Sequence, residues 1–189
     1  MRVISGIAGG RRLTTISGRS IRPTSDRVRE AIFNIIAERV DGSVVLDLFA
    51  GIGSLGIEAL SRGARYCVFV DNDRAAREVI NKNLNDLGFR DLSAVVGADA
   101  LRAIGARRGP VAERAPYDLI FADPPYALDV FDKLLLLIKN AGILAGNGLV
   151  IVEHSSRDAA PSESSWMTRV RQERYGDTQV SFYMYLSEG

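Results

Sequence analysis

Cysteine and histidine are nearly absent from this sequence of 189 residues, which contains one of each. The single cysteine, Cys67, excludes an internal disulfide and a multi-cysteine zinc site. The single histidine, His154, leaves little from which to build a histidine metal cluster or a Ser-His-Asp triad. We therefore expect no metal centre, and we interpret Cys67 as an inert buried strand residue and His154 as a structural or surface residue.

The sequence also lacks an apolar run of membrane-spanning length, and its first residues lack the apolar core of a secretory signal. We expect a cytoplasmic protein with no membrane contact, and a monomer. Hydrophobic residues make up 47% of the chain and charged residues 25%, which is typical of a globular domain. The length suits one well-packed core, so we predict one domain over residues 25–189, preceded by a small β-hairpin arm over residues 1–24.

Excess positive charge is concentrated in the N-terminal part of the chain. The net charge is only +1, yet residues 1–29 contain seven arginines and a single acidic residue. Such a local excess indicates contact with a polyanion such as RNA, and a merely solvated basic face is the alternative. The candidate RNA contacts are Arg2, Arg11, Arg12, Arg22, Arg27 and Arg29.

The stretch from Val44 to Leu60 combines a short apolar run, a glycine-rich middle and apolar residues at helical spacing. This pattern predicts a strand, a tight turn and a helix, in which Gly51 and Gly53 let the backbone approach a ligand closely. Asp47 precedes the first glycine by four residues; its carboxylate would repel a pyrophosphate but can hold the cationic amino-acid end of S-adenosylmethionine. The alternatives are a dinucleotide-dependent oxidoreductase and a turn that binds nothing.

Strands alternate with helices along the chain, which predicts an α/β fold with a central, mostly parallel sheet. Further strands are predicted at 67–70, 93–96, 117–122 and 148–153, with a surface loop at 105–116 and an antiparallel hairpin near 166–173 and 178–186 that closes the sheet edge. Ligands of such sheets bind beyond the carboxyl ends of the strands. We therefore expect one crevice, surrounded by the acidic residues at four strand ends, Asp47, Asp71, Asp99 and Asp123.

Two of these acids are suited to a nucleoside. Asp71 ends the second strand, where a carboxylate binds ribose hydroxyls in doubly wound sheets. Asp99 and the adjacent backbone N–H of Ala100 could pair with an adenine edge. For both aspartates, a helix N-cap is the alternative.

The segment Asp123-Pro124-Pro125-Tyr126 directly follows the fourth long strand. Two consecutive prolines fix the backbone and remove two amide donors, so the Asp123 carboxylate and the Pro124 carbonyl can both accept hydrogen bonds from a ligand. Tyr126 offers a flat surface for stacking. This arrangement favours methylation of an exocyclic amine on an unpaired or flipped-out base, and a simple X-Pro-Pro turn is the alternative.

With these residues in place, the chain resembles the Rossmann-like class I S-adenosylmethionine-dependent methyltransferases. More narrowly it is similar to the RsmD family, which methylates guanine N2 in 16S ribosomal RNA. The similarity covers nearly the whole chain and rests on residues 2–6 with 10–13, 22–31, 47–51 and 123–126.

This resemblance implies S-adenosylmethionine as cofactor and a guanine held by residues 123–126. It also implies a substrate that is an assembled or assembling small subunit, bound partly by the N-terminal arm. The candidate cofactor residues are Asp47, Phe49, Gly51, Gly53, Asp71, Asn72, Asp99 and Ala100.

Two further interpretations stay open. Asp-Pro-Pro-Tyr also occurs in DNA adenine-N6 and cytosine-N4 methyltransferases, although this chain has no segment large enough for a separate target-recognition domain. A non-catalytic RNA-binding factor could keep the fold without turnover, but its cofactor or catalytic motif would then be damaged, and both are intact here.

Overall fold

The computed structural model describes residues 1–16, 25–124, 128–157 and 166–186. Six α-helices and seven strands lie in these ranges, and two short 3-10 turns occur at Ala37–Arg39 and Arg90–Leu92. In chain order the elements are α1 (Asp26–Ile35), β1 (Val44–Leu48), α2 (Ser54–Ser61), β2 (Tyr66–Val70), α3 (Arg74–Leu87), β3 (Ser93–Val96), α4 (Ala100–Gly105), α5 (Pro110–Arg114), β4 (Tyr117–Ala122), α6 (Leu128–Ala141), β5 (Leu144–Ser155), β6 (Met167–Tyr175) and β7 (Thr178–Tyr185).

The strands form one seven-stranded sheet in the order β3-β2-β1-β4-β5-β7-β6. The first five strands of this order run parallel, while β7 lies antiparallel to both β5 and β6. The predicted α/β class, the mostly parallel sheet and the antiparallel C-terminal hairpin are therefore confirmed. The order reverses at β1 and β4, and α/β sheets bind ligands at such a switch point.

Two apolar layers cover the two faces of the sheet. Alternate residues of each strand point to opposite faces, so that Val45 of β1 packs with helices α1, α2 and α3 while its neighbour Leu46 packs with α4, α5 and α6. All five residues of β1 are buried, as expected for a central strand covered on both sides. Cys67 is fully buried in this core, in agreement with its predicted role.

The N-terminal segment packs onto the first of these layers. Val3, Ala8 and Leu13 are buried there with α1 and α2. The predicted hairpin is confirmed as a single antiparallel bridge between Arg2 and Arg12. Within the described ranges, no helix has both the length and the apolar character needed to cross a membrane.

The prediction of a structureless loop over residues 105–116 is wrong. Pro110–Arg114 forms the short helix α5, which buries Val111 against the second apolar layer. Pro110 occupies the first turn, where its missing N–H costs nothing. Five residues are too few to show helical periodicity, so the sequence pattern could not reveal this element.

Candidate active site

Four acidic residues meet at the carboxyl edge of the parallel sheet. Asp47 lies near the end of β1, Asp71 and Asp123 directly follow β2 and β4, and Asp99 precedes α4 just after β3. These strands are neighbours in the order β3-β2-β1-β4. The charges of Asp71 and Asp123 both act on Asp47, so the three carboxylates face one shared region.

The glycine-rich loop between β1 and α2 is closed by the carboxylate of Asp71. The Gly51 N–H donates to Asp71 Oδ2 at 2.7 Å, and Gly51 and Gly53 have φ angles of +57° and +80°. Phe49 also has a positive φ, +58°, which is unusual for a residue with a side chain. A Cβ at Gly51 would meet no atom within 4 Å, so this turn borders open space.

Asp47 is engaged inside the protein. Its Oδ2 accepts from the Gly56 N–H at 2.9 Å, which ties the first turn of α2 to β1. Burial raises the pKa of Asp47 to about 8, the Gly56 N–H opposes this rise, and repulsion from Asp71 and Asp123 adds to it. Gly56 itself is required by packing, because a Cβ there would lie 2.3 Å from Phe69 Cε1.

Asp71 and Asp99 differ in their local roles. Asp71 is not a helix cap: its Oδ1 accepts from the Asp73 N–H at 2.8 Å, and Asp73 caps α3. Asp99 is the N-cap of α4, as the alternative reading anticipated, and its Oδ1 accepts from the Arg102 N–H at 3.0 Å. The Asp99 side chain is nevertheless exposed, and Ala100 begins the helix beneath it.

The part of the edge around Asp47, Asp71 and Asp99, here called the cofactor half, has the features that an S-adenosyl cofactor needs. Open space borders Gly51, and α2 begins at Gly53 with no side-chain cap hydrogen bond. Carboxylates stand where ribose hydroxyls and a cationic amine would be held, at Asp71 and Asp47. Phe49 is half-buried beside the loop and Asn72 is exposed. The residues present therefore fit the group, and in the described part of the chain no cluster of His, Cys, Asp and Glu is suited to a metal ion.

Asp123 and Pro124 form the other part of the edge, here called the target half. Burial and the nearby charge of Glu153 raise the pKa of Asp123 to about 7. Pro124, next in the chain, has no N–H and is buried. Pro125 and Tyr126 lie outside the described residues. Sequence reasoning missed Glu153, although it directly follows the apolar run of β5, because only the strand order shows that β5 neighbours β4.

The candidate RNA contacts divide into exposed and buried residues. Arg2, Arg11, Arg12 and Arg27 are exposed, and Arg22 lies outside the described residues. Arg29 does not fit the prediction, because its side chain is 0% exposed. It pairs with Asp26 at 2.9 Å and stands 3.7 Å from Glu58, so a phosphate at the surface cannot reach it.

Glu58 explains why this arginine is buried, and sequence reasoning missed it. Its carboxylate, itself 0% exposed, accepts from the Ile4 and Ser5 N–H groups at 2.7 and 3.0 Å and pairs with Arg62 at 2.7 Å. A buried carboxylate needs such partners. Glu58 thus attaches the N-terminal segment to α2, the helix that follows the cofactor loop.

Comparison with known proteins agrees with this architecture. A family model described as Conserved hypothetical protein 95 matches residues 1–184. The chain is 42% identical over 183 residues to "Putative rRNA methyltransferase YlbH" of Bacillus subtilis, covering 97% of this chain and 98% of the relative. It is 33% identical over 188 residues to "Ribosomal RNA small subunit methyltransferase D" of Escherichia coli, covering 100% of this chain and 90% of that protein.

A solved structure shows the same fold over the full length. "Putative methyltransferase yhhF from Escherichia coli" superimposes with a TM-score of 0.87 at 29% identity, covering 100% of this chain and 99% of that one. The strand-end aspartates, the glycine loop and Asp123 with Pro124 therefore lie in the framework that the sequence resemblance implied. The chain belongs to the RsmD family of class I methyltransferases.

Proposed function

We propose that this protein transfers a methyl group from S-adenosylmethionine to the exocyclic N2 amine of a guanine in 16S ribosomal RNA, within the assembled or assembling small subunit. The observation that carries the proposal is the position of Asp123 and Pro124 beside the cofactor half of the crevice, at the switch point of the sheet. The full-length similarity to an enzyme named for the small ribosomal subunit supports the choice of polymer.

The cofactor half holds S-adenosylmethionine, which supplies an electrophilic methyl group on a sulfonium sulfur. Asp71, fixed by the Gly51 and Asp73 N–H groups, accepts from the ribose hydroxyls. Asp99 and the Ala100 N–H contact the adenine. The cationic amine of the methionine part lies near Asp47, directly or through water, and its charge favours the ionised form of that buried carboxyl group. Phe49 and Asn72 border the same site.

The target half prepares the amine. The lone pair of an exocyclic amine is delocalised into the ring, so the amine is a poor nucleophile. Hydrogen bonds from its two N–H groups to the Asp123 carboxylate and the Pro124 carbonyl draw the nitrogen toward tetrahedral geometry and stabilise its developing positive charge. As the methyl carbon bonded to the nitrogen, its bond to the sulfonium sulfur would break and the electron pair would stay on the sulfur of S-adenosylhomocysteine. The nitrogen would then lose a proton, which the Asp123 carboxylate, with a pKa of about 7, can accept. Pro125 and Tyr126 follow in the sequence, and we propose that Tyr126 stacks on the base.

The N-terminal segment supplies the polymer contact. Arg2, Arg11 and Arg12 are exposed on a segment that Glu58 and Asn83 fix to the domain. Arg27, exposed in the first turn of α1, adds a further cation, and Arg22 is a proposed contact from the sequence alone. We propose that residues 1–24 act as the RNA-binding arm. A ribosomal substrate places the protein in the cytoplasm, and we propose that it acts there as a monomer.

The direct test is methyl transfer from radiolabelled S-adenosylmethionine to small subunits from cells that lack this enzyme, followed by nucleoside analysis. We expect the label in N2-methylguanosine of 16S RNA. Label in N6-methyladenine or N4-methylcytosine of duplex DNA, with none in the subunits, would favour the DNA alternative. Cofactor binding without label in either polymer would contradict catalysis.

A further inference from the structure

Asp123 directly follows β4, and Glu153 lies on the neighbouring strand β5 one residue beyond the last pair of their register, Ala122 with Val152. The register pairs Phe121 of β4 with Ile151 of β5, and both side chains lie in the layer formed with α1, α2 and α3. Two residues further along each strand direction come Asp123 and Glu153, and the alternation of side chains gives them this same face. Asp47 also lies on this face, two residues beyond Val45.

The two carboxylates affect each other electrostatically. The charge of Glu153 acts on Asp123 and, together with burial, disfavours ionisation of Asp123. Glu153 is half-buried and closes the β5 side of the target half. Like charges placed together in a cleft favour a ligand that presents hydrogen-bond donors to both of them.

The nucleobases differ in whether they can satisfy two such acceptors. In guanine the N2 amine adjoins the ring N1–H, so adjacent atoms all donate. In adenine and cytosine the ring nitrogen beside the amine carries a lone pair instead of a hydrogen. A carboxylate facing that lone pair would be repelled, and a polar group left unpaired in a site discriminates strongly between ligands.

We propose that Glu153 accepts a hydrogen bond from the ring N1–H of the target guanine while Asp123 and the Pro124 carbonyl hold its N2 amine. Glu153 is then the residue that selects guanine over adenine and cytosine. This inference rests on the proposed function, because it names the group that recognises the base in that same site.

The test uses small subunits reconstituted with 16S RNA in which the methylated guanine is replaced by 2-aminopurine. This base keeps the N2 amine but has a lone pair at N1. We expect the wild-type enzyme to prefer guanine in kcat/KM by about 100-fold or more, as sites built to hydrogen-bond a donor do. Glu153→Gln presents an amide that can donate to the N1 lone pair, so the preference should fall by at least about tenfold.

The ratio of the two substrates is measured on one enzyme preparation, so a loss of active protein cancels. Glu38→Gln is the matched control: this exposed glutamate lies in the 3-10 turn before β1, away from the carboxyl edge, and should leave the ratio unchanged. An unchanged ratio in Glu153→Gln would overturn the proposal. Should that variant not fold, equal rates of the wild type on guanine and 2-aminopurine would overturn it instead. Failure of the wild type to methylate any subunit would count against the proposed function itself.

Discussion

Asp47 and Asp123 are the same residue type on adjacent strands at one sheet edge, yet their surroundings are opposite. Asp47 is 2% exposed and gives an oxygen to the Gly56 N–H, so it connects two parts of the framework. Asp123 stands next to a second carboxylate, Glu153, and precedes a proline that has no N–H. The cofactor half is organised by hydrogen bonds within the protein, whereas two carboxylates repel each other electrostatically in the target half.

Asp123→Ala should break the target half alone, and we expect it to have the largest effect. Loss of one oriented group that stabilises developing charge lowers kcat by about 10²–10³. The affinity for S-adenosylhomocysteine should change by less than about twofold, because the contacts of the Gly51 loop are untouched. Single-turnover methyl transfer and calorimetric titration measure the two quantities.

Asp123→Asn is the matched control, since its side-chain oxygen still accepts a hydrogen bond. It should retain more activity than Asp123→Ala but less than the wild type, because the amide cannot accept the proton. A large loss of S-adenosylhomocysteine binding in either variant would contradict the division into two halves.

Gly56→Ala should break the cofactor half. The added Cβ would lie 2.3 Å from Phe69 Cε1 and 2.6 Å from Cys67 Sγ, so α2 must move away from β2. We expect a loss of about 1–3 kcal/mol in the free energy of unfolding, as in other overpacked cores, and weaker cofactor binding. Chemical denaturation measures the first effect.

Gly105→Ala provides the comparison for this variant. A Cβ at Gly105 would meet no atom within 4 Å, and the residue ends helix α4 on the surface. Its stability should stay within about 0.5 kcal/mol of the wild type. Equal stability of the two variants would show that Gly56 is not required by packing.

The pH profile should sharpen the contrast between the two aspartates. Asp123 accepts a proton only when it is ionised, and its pKa is raised to about 7. Below that pH, kcat/KM should fall by about tenfold per pH unit, because kcat/KM reports groups of the free enzyme. Asp123→Asn has no such group and should give a flat profile in this range.

Glu153→Gln separates the two causes of the raised pKa of Asp123, burial and the charge of Glu153. Removing the charge of Glu153 should lower the pKa of Asp123 and move the fall in kcat/KM toward lower pH. Burial should still keep the pKa of Asp123 above its ordinary value. Among the described residues, Glu153 is the neighbouring charge that raises the pKa of Asp123. A fall in kcat/KM below about pH 7 that persists in Asp123→Asn would assign the titration to a different group.

The sequence was sufficient for the framework because strand and helix patterns were long. The strand Tyr117–Ala122 agrees in both bounds with the predicted 117–122. The strand-end aspartates could also be found, since each follows an apolar run. Parallel strands then bring them to one edge.

Long-range polar contacts could not be predicted. Arg29 looked like a surface cation in the first turn of α1. Its partner Asp26 is local, but Glu58, 3.7 Å away, lies on α2 and becomes a neighbour only after folding. Its unfavourable place in the helix dipole was the available signal that an anion must be close. Asn83 carried no such signal, although its side chain binds both the N–H and the carbonyl of Thr14 and also contacts the Ile52 carbonyl.

The smallest effect should come from the basic N-terminal segment, which Glu58 and Asn83 hold against α2 and α3. Arg11→Ala with Arg12→Ala removes two exposed cations, so binding to small subunits should weaken by several-fold. The salt dependence should also flatten, since each lost phosphate contact removes about 0.7–0.9 from the slope of log K against log salt. Cofactor affinity should not change.

Arg107→Ala with Arg108→Ala is the matched control, an exposed pair between α4 and α5. Equal salt slopes for the two double variants would remove the N-terminal segment from the RNA interface and leave RNA binding to the rest of the domain.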